Sequence, residues 1–164
     1  MDLVVSGDGV LEWRGKKYRC TVGRGGVTSE KREGDGATPR GSFLMRRVLY
    51  RPDRHACPEG GLPADALRQQ DGWCDDPRDP KYNRQVTLPY PARCESLWRH
   101  DGRYDYIVVI GHNDDPVTPG AGSAVFVHVA APDYGATAGC VALSAPDLVE
   151  ILRTCDPSTR LRIL

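Results

Sequence analysis

The sequence lacks net charge and lacks any long apolar run. Its 22 lysine and arginine residues balance 22 aspartate and glutamate residues. Proteins that bind nucleic acid through phosphates need a basic surface, so the composition disfavours that class. No apolar run approaches the roughly 18 residues of a membrane-spanning helix. We therefore expect neither a nucleic-acid partner nor a membrane span.

The sequence also lacks paired cysteine motifs. Its six cysteines form no Cys-x-x-Cys pair and no zinc-finger spacing, and they are too few for a disulfide scaffold at this length. Cys20 alternates with apolar residues along a strand and is expected to be buried. In an exported protein, the pair most easily closed is Cys57 with Cys74. The first residues show neither a basic region nor a long apolar stretch, so no signal peptide is visible.

Glycine and proline are abundant instead. The chain has 18 glycines and 13 prolines, well above the combined average usage of about 12%. This excess favours a turn-rich, strand-rich domain over a helical bundle. At 164 residues the chain has the length of one ordinary domain, and we expect a single domain over residues 1–164.

Alternation of apolar and polar residues predicts a strand at 17–22, and runs that are apolar on both faces predict central strands at 106–110 and 122–130. Further strands are expected at 42–50 and 160–163. Ser144 followed by Pro146 and Asp147 has the pattern of a helix N-cap and predicts a helix to about Arg153. A second short helix is expected at 64–70. Residues 51–104 form an irregular, proline-rich insert that is a candidate lid. The predicted fold is mainly β with one or two short helices.

One segment carries residues suited to nucleophilic catalysis. His128 ends an apolar strand, and a Thr137-x-Gly139-Cys140 turn follows twelve positions later. An imidazole that takes the proton of a thiol leaves a strongly nucleophilic thiolate. Backbone N–H groups at such a turn can stabilise an oxyanion. The alternative is structural, since a histidine on an apolar strand and a lone cysteine are both common in cores.

Several segments together resemble the L,D-transpeptidase (YkuD-like) catalytic domain. The His128 and Thr137-x-Gly139-Cys140 block is similar to its catalytic signature. Residues 31–43, KREGDGATPRGSF, resemble its Thr-Pro-x-Gly-x-Phe segment. The Gly-His-Asn at 111–113 and the Gly-Ser segment from 122 to His128 resemble a small stand-alone proteobacterial branch. The matches occur in the family's order.

The resemblance implies a β-sandwich or barrel and an acyl transfer that needs no metal or cofactor. Cys140 would be the nucleophile and His128 its general base. The backbone N–H groups of Gly139 and Cys140 would stabilise the oxyanion, and Thr137 would orient the turn. The implied partners are donor and acceptor stem peptides of peptidoglycan, and carbapenem-type inhibitors are expected to bind. Such a substrate implies the periplasm or cell envelope and a role in cell wall biogenesis and cell shape.

The chain departs from the family at two positions. The common block is Ser-His-Gly-Cys with an arginine two residues later, whereas this sequence has Ala138 and Ala142. Another group must therefore bind the carboxylates of the substrate. Arginine is plentiful, and planar guanidinium groups suit carboxylates. The expected substrate-binding residues beyond Thr137 are Arg40, Arg84, Tyr134, Asn113, His112, Trp73 and Tyr82, with simple packing the alternative for Trp73.

The sequence leaves the exact reaction open. The small branch includes enzymes that join L-Ala at position 1 to diaminopimelate, a 1-3 cross-link, and the two alanines favour this type. The alternatives are a 3-3 cross-linking enzyme, an L,D-carboxypeptidase or a non-catalytic peptidoglycan-binding module. A zinc hydrolase is the rival chemistry, and its four ligands would be His112, Asp114, His128 and Cys140.

Overall fold

The computed structural model describes all residues 1–164, which form fourteen β-strands and one short α-helix. The strands are β1 (Asp2–Ser6), β2 (Val10–Trp13), β3 (Lys16–Thr21), β4 (Val27–Thr28), β5 (Thr38–Pro39), β6 (Gly41–Tyr50), β7 (Ala64–Ala66), β8 (Asp71–Cys74), β9 (Gln85–Thr87), β10 (Cys94–Ser96), β11 (Tyr106–Ile110), β12 (Phe126–Val129), β13 (Val141–Leu143) and β14 (Arg160–Ile163). The helix α1 (Ala145–Leu152) lies between β13 and β14. The predicted mainly β fold class is confirmed.

Eight strands close into a barrel. Their order is β11-β12-β13-β3-β2-β1-β14-β6, and β6 pairs in turn with β11. The long strand β6 makes the closure because residues 41–44 pair with β14 and residues 45–50 pair with β11. Closure leaves no free edge around the ring. The short strand β7 adds to β6 in parallel.

Strand β11 separates two apolar clusters. All five of its residues are buried, as its uniformly apolar sequence predicts. Val108 belongs to the main core of 23 buried residues inside the barrel. Ile107 and Val109 belong to a second cluster of nine residues, which also contains Cys140. The barrel wall therefore has an apolar interior and an apolar outer patch.

Strand β12 continues this two-sided pattern. Val127 packs in the main core, whereas Phe126 packs in the second cluster. Because strand side chains alternate between faces, His128 shares the face of Phe126. The alternation thus places the histidine on the side of the barrel wall where Cys140 lies.

The helix α1 forms where its capping residues predict it. The Ser144 hydroxyl accepts a hydrogen bond from the Asp147 N–H, and a proline occupies the first turn. Leu148, Ile151 and Leu152 are its buried residues and join the main core. No helix of the structure is long and apolar enough to cross a membrane.

The proline-rich middle of the chain is more regular than expected. It contains a separate three-stranded sheet in the order β10-β8-β9. The helix predicted at 64–70 is wrong, because residues 64–66 form β7. So short a helix has few internal hydrogen bonds, and pairing with β6 satisfies the backbone instead.

The six cysteines are all free thiols. The expected pairing of Cys57 with Cys74 is wrong, since Cys57 is exposed and its thiol points to the Pro58 carbonyl. Cys74 is fully buried in β8, where its partner across the sheet is Cys94. Cys20 and Cys155 are buried in the main core, as expected for Cys20.

Candidate active site

The Thr-x-Gly-Cys turn is fixed against the polar loop that follows β3. The Arg24 N–H donates to the Thr137 carbonyl oxygen (2.9 Å), and the Thr137 N–H donates to the Val22 carbonyl oxygen (3.1 Å). Gly139 has a φ of +138°, and a Cβ there would lie 2.8 Å from the Ala37 carbonyl oxygen. A side chain at this position would be strained and would collide with backbone, so the turn requires glycine.

The Thr137 hydroxyl closes the turn from within. It accepts a hydrogen bond from the Gly139 N–H (3.1 Å) and donates one to the Cys140 carbonyl oxygen (2.6 Å). The Gly139 N–H, expected to stabilise an oxyanion, is therefore already engaged in the turn. The Cys140 N–H donates to no group of the chain. Of the two expected oxyanion donors, only that of Cys140 is free.

The Cys140 thiol is buried and neutral at rest. It donates to the Ala124 carbonyl oxygen (3.2 Å) and accepts from the Phe126 N–H (3.3 Å). Burial raises the pKa of the thiol to about 12, far above the pH of most cellular compartments. A thiol in this state would need a base to act as a nucleophile, because almost none of it is ionised beforehand.

The His128 imidazole is also neutral. Burial lowers the pKa of this histidine to about 4. Its Nδ1 lies 2.9 Å from the Val129 carbonyl oxygen, which can only accept, so the proton resides on Nδ1. Nε2 then carries a lone pair and has no partner in the chain. The ring of Tyr104 packs edge-on against the imidazole of His128, with 5.3 Å between the ring centroids, and limits the tilt of the imidazole.

Cys140 and His128 line the same cavity of about 300 Å³ without a direct hydrogen bond between them. The pair is thus brought together in one cavity, with a neutral thiol and a neutral base. Catalytic hydrogen bonds are often formed only when substrate is bound. Thr137 and Gly139 line this cavity as well, and so do the two alanines that depart from the family pattern, Ala138 and Ala142.

The cavity is rich in charge of both signs. Its cationic side chains are Arg24, Lys31, Arg99 and Arg103, and its carboxylates are Glu33, Asp75 and Glu95. Arg99 and Arg103 both pair with Asp101. Lys31 pairs with Asp35, so its charge is also partly satisfied. Arg24 forms no ion pair, is exposed, and is the one free cation of the cavity.

Lys31 was not anticipated as a site residue, although it begins the segment that resembles the family. Its side chain is only 9% exposed. Its Nζ would lie 3.5 Å from a Cβ built on Gly139. The lysine therefore fills the space behind the turn that carries the cysteine. Neither its spacing nor its neighbours in the sequence distinguish it from a solvated lysine.

The two arginines expected to bind substrate carboxylates lie outside this cavity. Arg40 is exposed and does not line the cavity. Arg84 donates to the Asp114 carbonyl oxygen (2.7 Å) and lines a second cavity of about 190 Å³. Tyr134 also lies outside, where its ring stacks under the Arg19 guanidinium at 4.0 Å. These three side chains therefore do not line the cavity that contains Cys140.

The histidine and asparagine of the Gly-His-Asn segment form hydrogen bonds within the loop that precedes β12. The Nε2 of His112 lies 3.1 Å from the Ala121 carbonyl oxygen, and the ring borders the second cavity. The Asn113 amide donates to the carbonyl oxygens of Thr118 and Gly122. Both residues therefore shape the loop that precedes β12 and do not reach the main cavity.

Trp73 and Tyr82, expected to contact substrate from a lid, are buried beneath the site. The Trp73 indole donates to the Asn83 side-chain oxygen (2.9 Å), which also accepts from the Ala124 N–H (3.1 Å). The Tyr82 hydroxyl accepts from the Gly122 N–H (3.0 Å). The insert thus supports the segment around Gly122 and Ala124, to which the Cys140 thiol donates. The position of Trp73 is accounted for by packing.

The four ligands of the zinc alternative are divided between two places. His112 and Asp114 border the second cavity, whereas His128 and Cys140 line the main one. No group of three or more histidine, cysteine, aspartate or glutamate side chains is arranged to hold a metal ion. The residues present therefore do not fit a zinc hydrolase site.

The barrel and its cavity agree with the family resemblance. The family model of the L,D-transpeptidase catalytic domain, YkuD, matches residues 3–163. The chain therefore belongs to the L,D-transpeptidase family, whose members act on peptidoglycan peptides. No curated protein and no solved structure matches the chain.

Proposed function

We propose that this protein is a cysteine-dependent L,D-transpeptidase that cross-links peptidoglycan stem peptides through diaminopimelate. The observation that carries the proposal is the convergence of three groups on one cavity. These are the Cys140 thiol, the Cys140 N–H without a partner, and the neutral His128 imidazole. They supply a nucleophile, an oxyanion donor and a base.

In the first half-reaction, the thiol attacks a peptide carbonyl of the donor stem. Nε2 of His128 takes the thiol proton as the sulfur–carbon bond forms. The Cys140 N–H donates to the oxyanion of the tetrahedral intermediate. The carbon–nitrogen bond then breaks, and His128 returns the proton to the leaving amine. The product is a thioester on Cys140.

In the second half-reaction, an amine of the acceptor stem attacks the thioester. His128 takes the proton that the amine loses, the new amide bond forms, and the carbon–sulfur bond breaks. The sulfur regains its proton from His128. Attack by water instead of the amine would give an L,D-carboxypeptidase, which is the alternative reaction of the same thioester.

We place donor carboxylate recognition on Arg24. Ala138 and Ala142 leave the site without the family's usual histidine and arginine. Arg24 borders the same cavity and forms no ion pair, so binding a carboxylate breaks no existing salt bridge. We therefore assign to Arg24 the carboxylate-binding role that the sequence analysis expected for Arg40 and Arg84.

We place the acceptor ammonium near Glu33 and Glu95. Both carboxylates line the cavity, and neither forms an ion pair. Glu33 accepts hydrogen bonds from the Tyr82 and Ser123 hydroxyls, and Glu95 accepts one from the Tyr104 hydroxyl. Neutral hydroxyl donors leave each carboxylate with charge that an ammonium group can balance.

The cross-link expected is the 1-3 type, between L-Ala and diaminopimelate. The two alanines support this choice, because a donor site without the usual histidine and arginine must hold its substrate differently. A 3-3 cross-link is the alternative. We propose the cell envelope as the place of action, since the proposed substrate lies there.

The decisive experiment measures the mass of the protein after treatment with a carbapenem and of the products formed from defined muropeptides. The wild type is expected to gain one carbapenem mass and to form dimers whose linkage fragmentation mass spectrometry identifies. Cys140→Ala is expected to lose both activities. Cys57→Ser is the matched control, because it removes an exposed thiol outside the cavity. An adduct or dimer that persists in Cys140→Ala would overturn the mechanism.

A further inference from the structure

Two cysteines outside the active site face each other across the small sheet of the insert. In β8 and β10, Cys74 is the direct partner of Cys94. The flanking hydrogen bonds run from the Leu97 N–H to the Asp71 carbonyl (3.0 Å) and from the Asp75 N–H to the Arg93 carbonyl (3.1 Å). By the alternation of an antiparallel ladder, the cysteines form a non-hydrogen-bonded pair.

Such a pair has the spacing that a disulfide needs. Directly opposed residues of this kind lie about 4.5 Å apart between Cα atoms, within the 4.4–6.8 Å range typical of disulfides. Burial and the neighbouring Cys74 thiol raise the pKa of Cys94 to about 11, in keeping with contact between the two sulfurs. No backbone movement is therefore required for a bond to form.

The pair is separated from the catalytic cysteine. Trp73, which precedes Cys74 in β8, packs in the same apolar cluster as Cys140. Because side chains alternate along a strand, Cys74 projects from the opposite face of the small sheet. On that face the Cys74 thiol lies near Asp79 and Tyr90 of the proline-rich segment, where the Tyr90 hydroxyl donates to Asp79. The sheet therefore stands between this pair and the Cys140 thiol.

We propose that Cys74 and Cys94 form an oxidation site that closes into a disulfide by exchange with a small-molecule or protein disulfide. The partly exposed Cys94 attacks the oxidant as its thiolate, forms a mixed disulfide and releases one thiol. Cys74 then attacks the Cys94 sulfur and releases the second thiol. Two protein thiols lose two protons and two electrons in total, and the oxidant is reduced to two thiols.

The bond would join the central strand of the small sheet to its edge strand. Strand β10 also carries Glu95, which lines the active-site cavity, so the disulfide would fix this wall without touching the nucleophile. The proposal does not depend on the transfer reaction. An envelope location would supply an oxidising environment, in which such bonds persist.

The test treats the reduced full-length protein with oxidised glutathione at mildly alkaline pH, then alkylates the remaining thiols after denaturation. Peptide mapping is expected to find a linked Cys74–Cys94 peptide and a fall from six alkylated thiols to four. The oxidised form should melt roughly 5–10 °C higher, and dithiothreitol should reverse the shift.

Two variants separate this outcome from general oxidation. Cys94→Ser is expected to lose the linked peptide and the melting shift, while Cys57→Ser keeps both. A Cys94–glutathione adduct that persists without a linked peptide would overturn the proposal, and so would a Cys57–Cys74 link. These readouts use no peptidoglycan substrate, so their failure would leave the proposed transferase activity intact.

Discussion

The Thr137 hydroxyl donates a hydrogen bond of 2.6 Å to the carbonyl oxygen of Cys140. The Thr137 hydroxyl oxygen also accepts a hydrogen bond from the Gly139 N–H, so this one side chain bridges both ends of the turn that contains the Cys140 thiol. A hydroxyl in this position fixes the direction of the Cys140 N–H, which we propose as the oxyanion donor. The turn depends on a hydroxyl group and not on the methyl group of threonine.

We therefore expect Thr137→Val to slow acylation by a carbapenem, whereas Thr137→Ser should stay close to wild type. Losing two neutral hydrogen bonds, each worth about 1 kcal/mol, predicts a loss of roughly ten-fold or more. The loss should fall on the maximal rate, since the bonds orient catalytic groups and do not touch the substrate. Equal rates in the valine and serine variants would contradict this role.

Gly139 and Gly15 offer a matched pair of substitutions by alanine. Both have positive φ, but a Cβ at Gly139 would meet the Ala37 carbonyl oxygen at 2.8 Å, while one at Gly15 meets nothing within 4 Å. Gly139→Ala should cost about 1–3 kcal/mol more in the free energy of unfolding than Gly15→Ala. Urea denaturation measures both. Similar losses would show that the turn relaxes to admit a side chain.

Arg24 and Arg40 provide a test of carboxylate recognition. Both are exposed arginines without an ion pair, but only Arg24 borders the cavity. Arg24→Ala is expected to raise the KM for a stem-peptide donor about ten-fold or more, because a charge-assisted hydrogen bond is lost. Arg40→Ala removes the same charge and should leave the KM unchanged. A larger effect at Arg40 would return the role to the residue that the sequence first suggested.

The contrast between these two arginines illustrates which features the sequence could predict. The faces of β12, and therefore the side on which His128 lies, could be predicted because successive side chains of a strand point to opposite faces. The Ser144 cap predicted the start of α1 for an equally local reason. The family resemblance pointed to the turn at Gly139 and Cys140, and the structure shows that this turn requires its glycine.

Features that depend on distant parts of the chain could not be predicted. Arg24 reaches the cavity only because its N–H pairs with Thr137, more than a hundred positions away. Trp73 was expected in a candidate lid, but its indole donates a hydrogen bond to Asn83 and its ring packs on Phe126. Residues 64–66 form a strand and not the start of a helix because they pair with β6. Local patterns carry no information about such partners.

The pH dependence of acylation should distinguish a neutral catalytic pair from a preformed thiolate–imidazolium pair. Burial lowers the pKa of His128 to about 4 and raises that of Cys140 to about 12. The base form of His128 is lost only as the pH falls through about 4, so carbapenem acylation should be nearly constant from about pH 6 to 9 and decline on the acid side near pH 4. An ordinary histidine would place this decline near 6.5.

Glu95 is the control for this profile, since burial raises the pKa of its carboxyl and it lines the same cavity. If His128 governs the acid decline, Glu95→Gln should keep the decline near pH 4, whatever its effect on the rate at neutral pH.

The free energy of unfolding should also depend on pH through His128. The unfolded chain binds a proton at His128 between about pH 6.5 and 4 that the folded chain does not, so the free energy of unfolding should fall as the pH decreases through this interval. For acylation, a bell-shaped pH profile with an alkaline decline at the pKa of an imidazolium would contradict the neutral pair. It would require a resting thiolate–imidazolium pair instead.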